Sequence, residues 1–102
     1  MKQTRKRRIL IVDDSEMNRE ILTGILEDEY DIVEAEDGKK AIAIMEEGLY
    51  SFSIVLLDIT MPELDGFGVL QVMQQRNWLK ELPVIIISAE TSNEYILSLI
   101  HI

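Results

Sequence analysis

The chain has 102 residues, of which 47% are hydrophobic, and it contains no cysteine. One compact domain with a sizeable core is therefore expected, and disulfide bonds and thiolate metal sites are excluded. The formal net charge is −9, and five of the ten basic residues fall within the first eight positions. The acidic remainder argues against direct nucleic-acid binding, and no apolar run reaches the roughly 18–20 residues that span a bilayer. We expect a cytoplasmic protein with no membrane contact.

The first half of the chain predicts two strands that alternate with two helices. Residues 9–12 are continuously apolar, which is typical of a strand covered on both faces. A stripe of apolar residues at helical spacing follows from Met17, with Ser15 as a plausible N-cap and Met17 assigned to the core. Residues 31–36 carry charges and suit an edge strand, and a second helix is predicted after Asp37-Gly38.

The second half repeats this alternation. Residues 54–57 and 84–87 are short, β-branched runs that predict two more buried strands. Between them, Phe67, Leu70 and Met73 have helical spacing, and a capping box at residues 91–94 predicts a fourth helix. Strands that alternate with helices indicate a doubly wound α/β domain built on a parallel sheet.

Polar side chains follow three of the predicted buried strands. Asp13 and Asp14 come after the first, Asp58 after the third, and Ser88 after the fourth. Because ligands of open parallel sheets bind beyond the carboxyl ends of the strands, we expect these residues to meet there. Clustered carboxylates repel each other unless a cation lies among them, and all-oxygen ligands favour Mg²⁺, with Mn²⁺ as a substitute. Asp58 is then the best nucleophile toward a phosphoryl group.

These segments resemble the receiver domains of bacterial two-component response regulators. The resemblance rests on IVDDS at residues 11–15, LLDITMP at residues 56–62 with Asp-Gly at 65–66, and PVIIISA at residues 83–89. It covers about residues 8–96, and several motifs fall in order at the family's spacing. The resemblance implies a CheY-like, flavodoxin-like doubly wound sheet with strand order 2-1-3-4-5.

The resemblance also implies a role for each site residue. Asp14 would hold Mg²⁺ directly and Asp13 through water, while Asp58 would be both a ligand and the phosphoacceptor. The backbone carbonyl of Thr60 would complete the protein ligands, and Ser88 would be the switch hydroxyl. The phosphoryl donor would be a partner histidine kinase or phosphotransfer protein. The domain would catalyse at most its own phosphorylation and dephosphorylation.

The sequence departs from the family pattern at its end. The family's fifth strand and fifth helix, and the Lys that pairs with the phosphoryl group, would lie beyond residue 102. We expect a basic leader at residues 1–8, an incomplete receiver domain at 9–96 and a non-native tail at 97–102. The tail reads like the translation of a transposon end used in sequencing libraries. An output domain would be expected beyond the break, and without its fifth strand the fragment would be marginally stable.

Two other functions stay open. Without the site Lys, the chain could be an interaction module that is not phosphorylated, or an inactive fragment. An Asp-nucleophile phosphohydrolase of the haloacid dehalogenase type is disfavoured, because such enzymes use Asp-x-Asp and Asp58-Ile59-Thr60 lacks the second carboxylate.

Overall fold

A computed structural model describes residues 6–59 and 66–87 of the chain, which form a sheet with helices on both faces. The elements in chain order are β1 (Arg7–Val12), α1 (Glu16–Leu26), β2 (Tyr30–Ala35), α2 (Gly38–Gly48), β3 (Ile54–Asp58), α3 (Gly66–Gln75) and β4 (Val84–Ile87). The four strands are parallel in the order β2-β1-β3-β4. This order confirms the predicted doubly wound sheet through its fourth strand. The helix predicted from Thr91 lies outside the described residues.

The two faces of the sheet bury two separate apolar clusters. Side chains of β1 alternate between them, with Leu10 and Val12 in the larger cluster and Ile9 and Ile11 in the smaller one. The larger cluster includes buried residues of α2 and α3, and the smaller one is covered by α1. Burial on both faces explains why β1 and β3 are continuously apolar rather than alternating.

Helix α1 packs on the sheet through a narrower face than the sequence suggests. Leu22 and Leu26 contact the smaller apolar cluster. Met17, Ile21 and Ile25 are exposed, at 68%, 53% and 69% respectively. Ile21 and Ile25 each precede a packed leucine by one residue, about 100° around the helix, so they point away from the sheet. The assignment of Met17 to the core is therefore wrong, whereas Met45 and Met73 are fully buried as expected.

The ends of the first elements follow from local hydrogen bonds. The Ser15 side chain accepts a hydrogen bond from the Asn18 amide at 3.2 Å, which confirms Ser15 as the N-cap of α1. Strand β1 begins at Arg7, because Arg7 and Arg8 pair with Tyr30 and Asp31 of β2. The predicted basic leader at residues 1–8 thus overlaps the first strand by two residues.

Candidate functional site

Three predicted site residues meet at the carboxyl edge of the sheet. Val12 and Leu57 are paired in adjacent strands, so Asp13 and Asp58 follow them side by side. Carboxylate oxygens of Asp13, Asp14 and Asp58 lie within 4.8 Å of one another. We call these three residues the acidic edge. Its geometry allows one cation to contact all three side chains.

The three carboxylates differ in their access to solvent. Asp13 and Asp58 are buried, with 2% and 5% of their surface exposed, whereas Asp14 is exposed. The buried pair sits at the ends of the two central strands, and Asp14 opens toward solvent from the turn before α1. Asp14 is therefore the most solvent-accessible of the three carboxylates.

Asp13 is fixed by the turn that follows it. One of its carboxylate oxygens accepts from the Ser15 amide at 2.9 Å, and the other accepts from the Asn18 side-chain amide at 3.4 Å. Its own backbone amide donates to the Ala35 carbonyl at the end of β2, at 3.1 Å. Both its backbone and its side chain are thereby oriented before any ligand binds.

Burial raises the pKa of the Asp13 carboxyl above its ordinary value. The negative charges of Asp58 and Asp14 raise this pKa further. The hydrogen bonds from the Ser15 amide and the Asn18 side chain act in the opposite direction, because they stabilise the carboxylate. The net effect is that the charged carboxylates of the acidic edge are destabilised in the folded protein. A bound cation would offset this destabilisation.

The first residue of α3 lies against the strand that carries Asp58. A Cβ atom on Gly66 would collide with the Cα atom of Ile59 and would lie 2.5 Å from the Asp58 carbonyl oxygen. Only glycine allows α3 to begin this close to the end of β3. Gly66 therefore sets the position of the backbone on which Asp58 is carried.

Sequence reasoning missed Arg19 at this site. The Arg19 Nη1 atom donates to the Asp13 carbonyl oxygen at 2.7 Å, and its Nε atom donates to Glu34 Oε1 at 2.9 Å. A partial signal was present, since Arg19 lies six residues after Asp13 in the first turns of the adjoining helix. The contact joins Arg19 of α1 to Glu34 of β2, fifteen positions later in the chain, and no local pattern predicts it.

Two predicted site residues, Thr60 and Ser88, lie outside the described residues. The described ranges 6–59 and 66–87 do include the three acidic side chains, and they offer oxygen ligands alone. Such a set fits a hard cation such as Mg²⁺ better than a transition metal that prefers nitrogen or sulfur. None of the helices in these ranges has both the length and the hydropathy that a membrane-spanning helix would need.

A depression lies at the end of the sheet opposite the acidic edge. It has a volume of about 590 Å³ and lies between the C-terminal ends of α2 and α3. Its lining mixes glutamates, including Glu46 and Glu81, with Arg76 and Lys80. This mixture favours neither an anion nor a cation, so the acidic edge is the better candidate site.

Comparison with known proteins places this geometry in one family. The family model described as "Response regulator receiver domain" matches residues 9–102. The two-component response regulator ORR5 of Oryza sativa is 32% identical over 83 residues, which are 80% of this chain and 61% of that regulator. This chain thus spans less than two thirds of that relative's length.

Solved structures show the same likeness. The CheX-CheY-BeF3-Mg complex from Borrelia burgdorferi gives a TM-score of 0.82 at 33% identity, covering 93% of this chain and 71% of that one. The response regulator TrrA from Thermotoga maritima, in complex with Mg²⁺ and beryllium fluoride, gives 0.78 at 33% identity, with 90% and 77% covered. The chain belongs to the response regulator receiver domain family.

Proposed function

We propose that this chain receives a phosphoryl group on Asp58 from a phosphohistidine of a partner histidine kinase or phosphotransfer protein. Membership of the receiver domain family supports a role in phosphorelay signalling. The observation that carries the proposal is the convergence of Asp13, Asp14 and Asp58 within 4.8 Å at one edge of the sheet. Asp58 ends the central strand β3, and both of its neighbours in the cluster are carboxylates that can hold a cation.

The reaction is a transfer between two nucleophiles. A carboxylate oxygen of Asp58 attacks the phosphorus atom and forms a P–O bond as the P–N bond of the donor breaks. The electron pair of the P–N bond remains on the imidazole nitrogen of the donor, and the product is an acyl phosphate. A Mg²⁺ ion held by Asp14 and Asp58 would supply positive charge that offsets the negative charge of the transferred phosphoryl oxygens.

The contacts of the two flanking carboxylates support different roles for them. Both Asp13 oxygens already accept hydrogen bonds from this chain, and Asp13 is buried. Asp14 is exposed and lies nearest to solvent. We therefore assign the direct contact with Mg²⁺ to Asp14 and Asp58, with Asp13 acting through water. The Thr60 carbonyl as a further ligand and the Ser88 hydroxyl as the switch residue are part of the same proposal.

The test uses small phosphoryl donors, because they need no partner protein. The purified chain is incubated with acetyl phosphate or with phosphoramidate, whose P–N bond resembles that of phosphohistidine. Intact mass spectrometry then detects the addition of one phosphoryl group. We expect the addition to require Mg²⁺, with Mn²⁺ able to replace it, and to disappear in Asp58→Asn.

A matched control is Asp31→Asn, since Asp31 is an exposed carboxylate near the other end of the sheet. This variant should be phosphorylated like the wild type. Phosphorylation that persists in Asp58→Asn would move the acceptor to another residue. A folded chain that takes no phosphoryl group from either donor would instead favour an interaction module that is not phosphorylated.

The partner and the output of the signal are also proposals. The name of the Borrelia complex places a second protein, CheX, on a related receiver domain, which supports protein partners for this fold. The chain spans 61% of the length of ORR5 and 39% of that of ORR7, and an output domain linked to this receiver domain is part of the proposal.

A further inference from the structure

We propose that Arg19, held by Glu34, is a positioning residue that keeps the acidic edge in the geometry that binds a divalent cation. This inference rests on the proposed metal site, since it concerns residues that support that site without contacting the metal. Arg19 lies on α1 and Glu34 lies on the edge strand β2. Neither residue belongs to the acidic edge itself.

Arg19 spans two acceptors that belong to different elements. Its Nη1 atom donates to the Asp13 carbonyl oxygen at 2.7 Å, and its Nε atom donates to Glu34 Oε1 at 2.9 Å. The Arg19 side chain is only 14% exposed, and its contact with the Asp13 carbonyl is partly buried. The Glu34 side chain is 38% exposed, so its contact with Arg19 faces solvent. A planar guanidinium can reach both acceptors at once, which a lysine ammonium on a flexible stem does poorly.

Glu34 is itself held from two sides. Its second oxygen accepts from the Thr23 hydroxyl at 3.3 Å, one turn further along α1 than Arg19. The carboxylate of Glu34 is therefore oriented by two residues of the same helix. It fixes the Arg19 side chain over the turn that joins β1 to α1.

The hydrogen bond to the Asp13 carbonyl acts on the peptide group between Asp13 and Asp14. The Asp13 amide, on the other side of that residue, is tied to the Ala35 carbonyl at 3.1 Å. With both ends held, the direction in which the chain leaves Asp13 is set, and this direction places Asp14 against Asp13 and Asp58. Loss of Arg19 would free the peptide and let the exposed Asp14 move away from the buried pair.

The positive charge of Arg19 is matched by Glu34, so the pair adds little net charge to the acidic edge. The effect that we infer is therefore geometric rather than electrostatic. Groups that orient the ligands of a metal typically change its affinity by about 10–100-fold when they are removed. We expect a similar loss here, with the acidic side chains themselves unchanged.

The experiment measures Mn²⁺ binding to the folded chain by electron paramagnetic resonance of the free ion. Arg19→Gln should weaken Mn²⁺ binding by about 10-fold or more. Arg19→Lys keeps the charge and should still lose most of that affinity. Phosphorylation of Arg19→Gln by phosphoramidate should recover at high Mg²⁺ concentration, because the acceptor Asp58 remains in place.

Two controls separate positioning from a loss of stability. Arg76→Gln removes an ion pair of similar length, 2.8 Å to Glu46, and Arg76 lies beyond the C-terminal end of α3. Leu22→Ala weakens the packing of α1 on the sheet. Both variants should bind Mn²⁺ like the wild type at temperatures at which circular dichroism shows them folded. If Arg19→Gln does not fold, Glu34→Gln tests the same contact and should also weaken binding.

Wild-type affinity in Arg19→Gln would overturn the positioning role while leaving the metal site intact. Full affinity in Arg19→Lys would overturn the geometric account in favour of charge alone. If the wild-type chain itself bound no Mn²⁺, the metal site of the proposed function would fail, and the positioning role would fail with it.

Discussion

Asp13 carries a carboxylate that the fold buries beside two others. Its raised pKa means that the folded protein binds this proton more tightly than the unfolded chain does. The loss of stability caused by the charged carboxylate is absent below the unfolded pKa of 3.8. It grows as the pH rises through the raised folded pKa. At neutral pH and without metal, Asp13 therefore lowers the free energy of unfolding.

We predict that Asp13→Asn raises the melting temperature of the metal-free protein at pH 7 by several degrees. Asn removes the buried charge and keeps one oxygen that can accept from the Ser15 amide. The gain should shrink as the pH falls through the raised folded pKa of the wild-type carboxyl, and it should be absent below the unfolded value of 3.8. Thermal melts across this pH range test the prediction, with Asp31→Asn as an exposed control. A gain that is the same at every pH would show that the charge is not its cause.

Replacement by alanine should change the free energy of unfolding in opposite directions at Gly66 and at Gly24. Gly66→Ala would place a methyl group against the backbone of Ile59 and Asp58, so we expect a loss of about 1–3 kcal/mol. Gly24→Ala meets nothing within 4 Å in the interior of α1, so it should add about 0.5–1 kcal/mol through helix propensity.

Urea denaturation of the two glycine variants measures both free energies of unfolding. Gly66→Ala should also slow phosphorylation from acetyl phosphate at temperatures at which it stays folded, because α3 and the end of β3 must move apart. A stable Gly66→Ala variant with normal phosphorylation would contradict the close approach of α3 to Asp58.

At the scale of the elements, α1 packs some of its apolar side chains against the sheet and leaves others exposed. Leu22 packs against the smaller cluster, whereas Ile21 is 53% exposed and Ile25 is 69% exposed. We predict that Leu22→Ala lowers the free energy of unfolding by about 1–3 kcal/mol, somewhat less than a fully buried site would lose. Ile21→Ala and Ile25→Ala should each change it by less than about 0.5 kcal/mol. Chemical denaturation compares the three variants. Equal losses of stability would mean that Ile21 and Ile25 are packed in the core after all.

The same helix shows where the sequence was informative and where it was not. The strands could be predicted because short, continuous, β-branched runs are typical of strands that are covered on both faces. Ser15 could be predicted as a cap from its residue type and position. The face of α1 could not, because its apolar residues at 17, 21, 22, 25 and 26 cover a wider arc than one sheet contact can bury.

The acidic edge could be predicted for a related reason. In a parallel sheet the carboxyl ends of all strands share one edge, so residues that are distant in sequence meet there whatever the loops do. Arg19 and Glu34 could not be found in this way, since their contact depends on how α1 lies across β2. Exposure also could not be predicted, although it separates Asp14 from Asp13 and Asp58.

At the scale of the whole molecule, the negative charge of the acidic edge links cation binding to the stability of the fold. The chain carries 19 acidic and 10 basic residues, and the acidic edge gathers three carboxylates at the ends of its two central strands. A cation that binds all three carboxylates acts on the folded state, because Asp58 lies far from Asp13 and Asp14 in the unfolded chain. Binding must therefore raise the free energy of unfolding by mass action.

We predict that Mg²⁺ raises the melting temperature of the wild-type chain, and that NaCl at the same ionic strength does not reproduce the shift. At a Mg²⁺ concentration 100-fold above its dissociation constant, the gain is about 2.7 kcal/mol, which corresponds to roughly 10 °C or more for a domain of this size. Asp58→Asn and Asp14→Asn should lose most of the shift, because each removes a negative charge from the proposed metal site. Asp31→Asn should keep it, since Asp31 lies near the opposite end of the sheet. An equal shift in all four proteins would mean that Mg²⁺ only screens the overall negative charge, and the acidic edge would then not be a metal site.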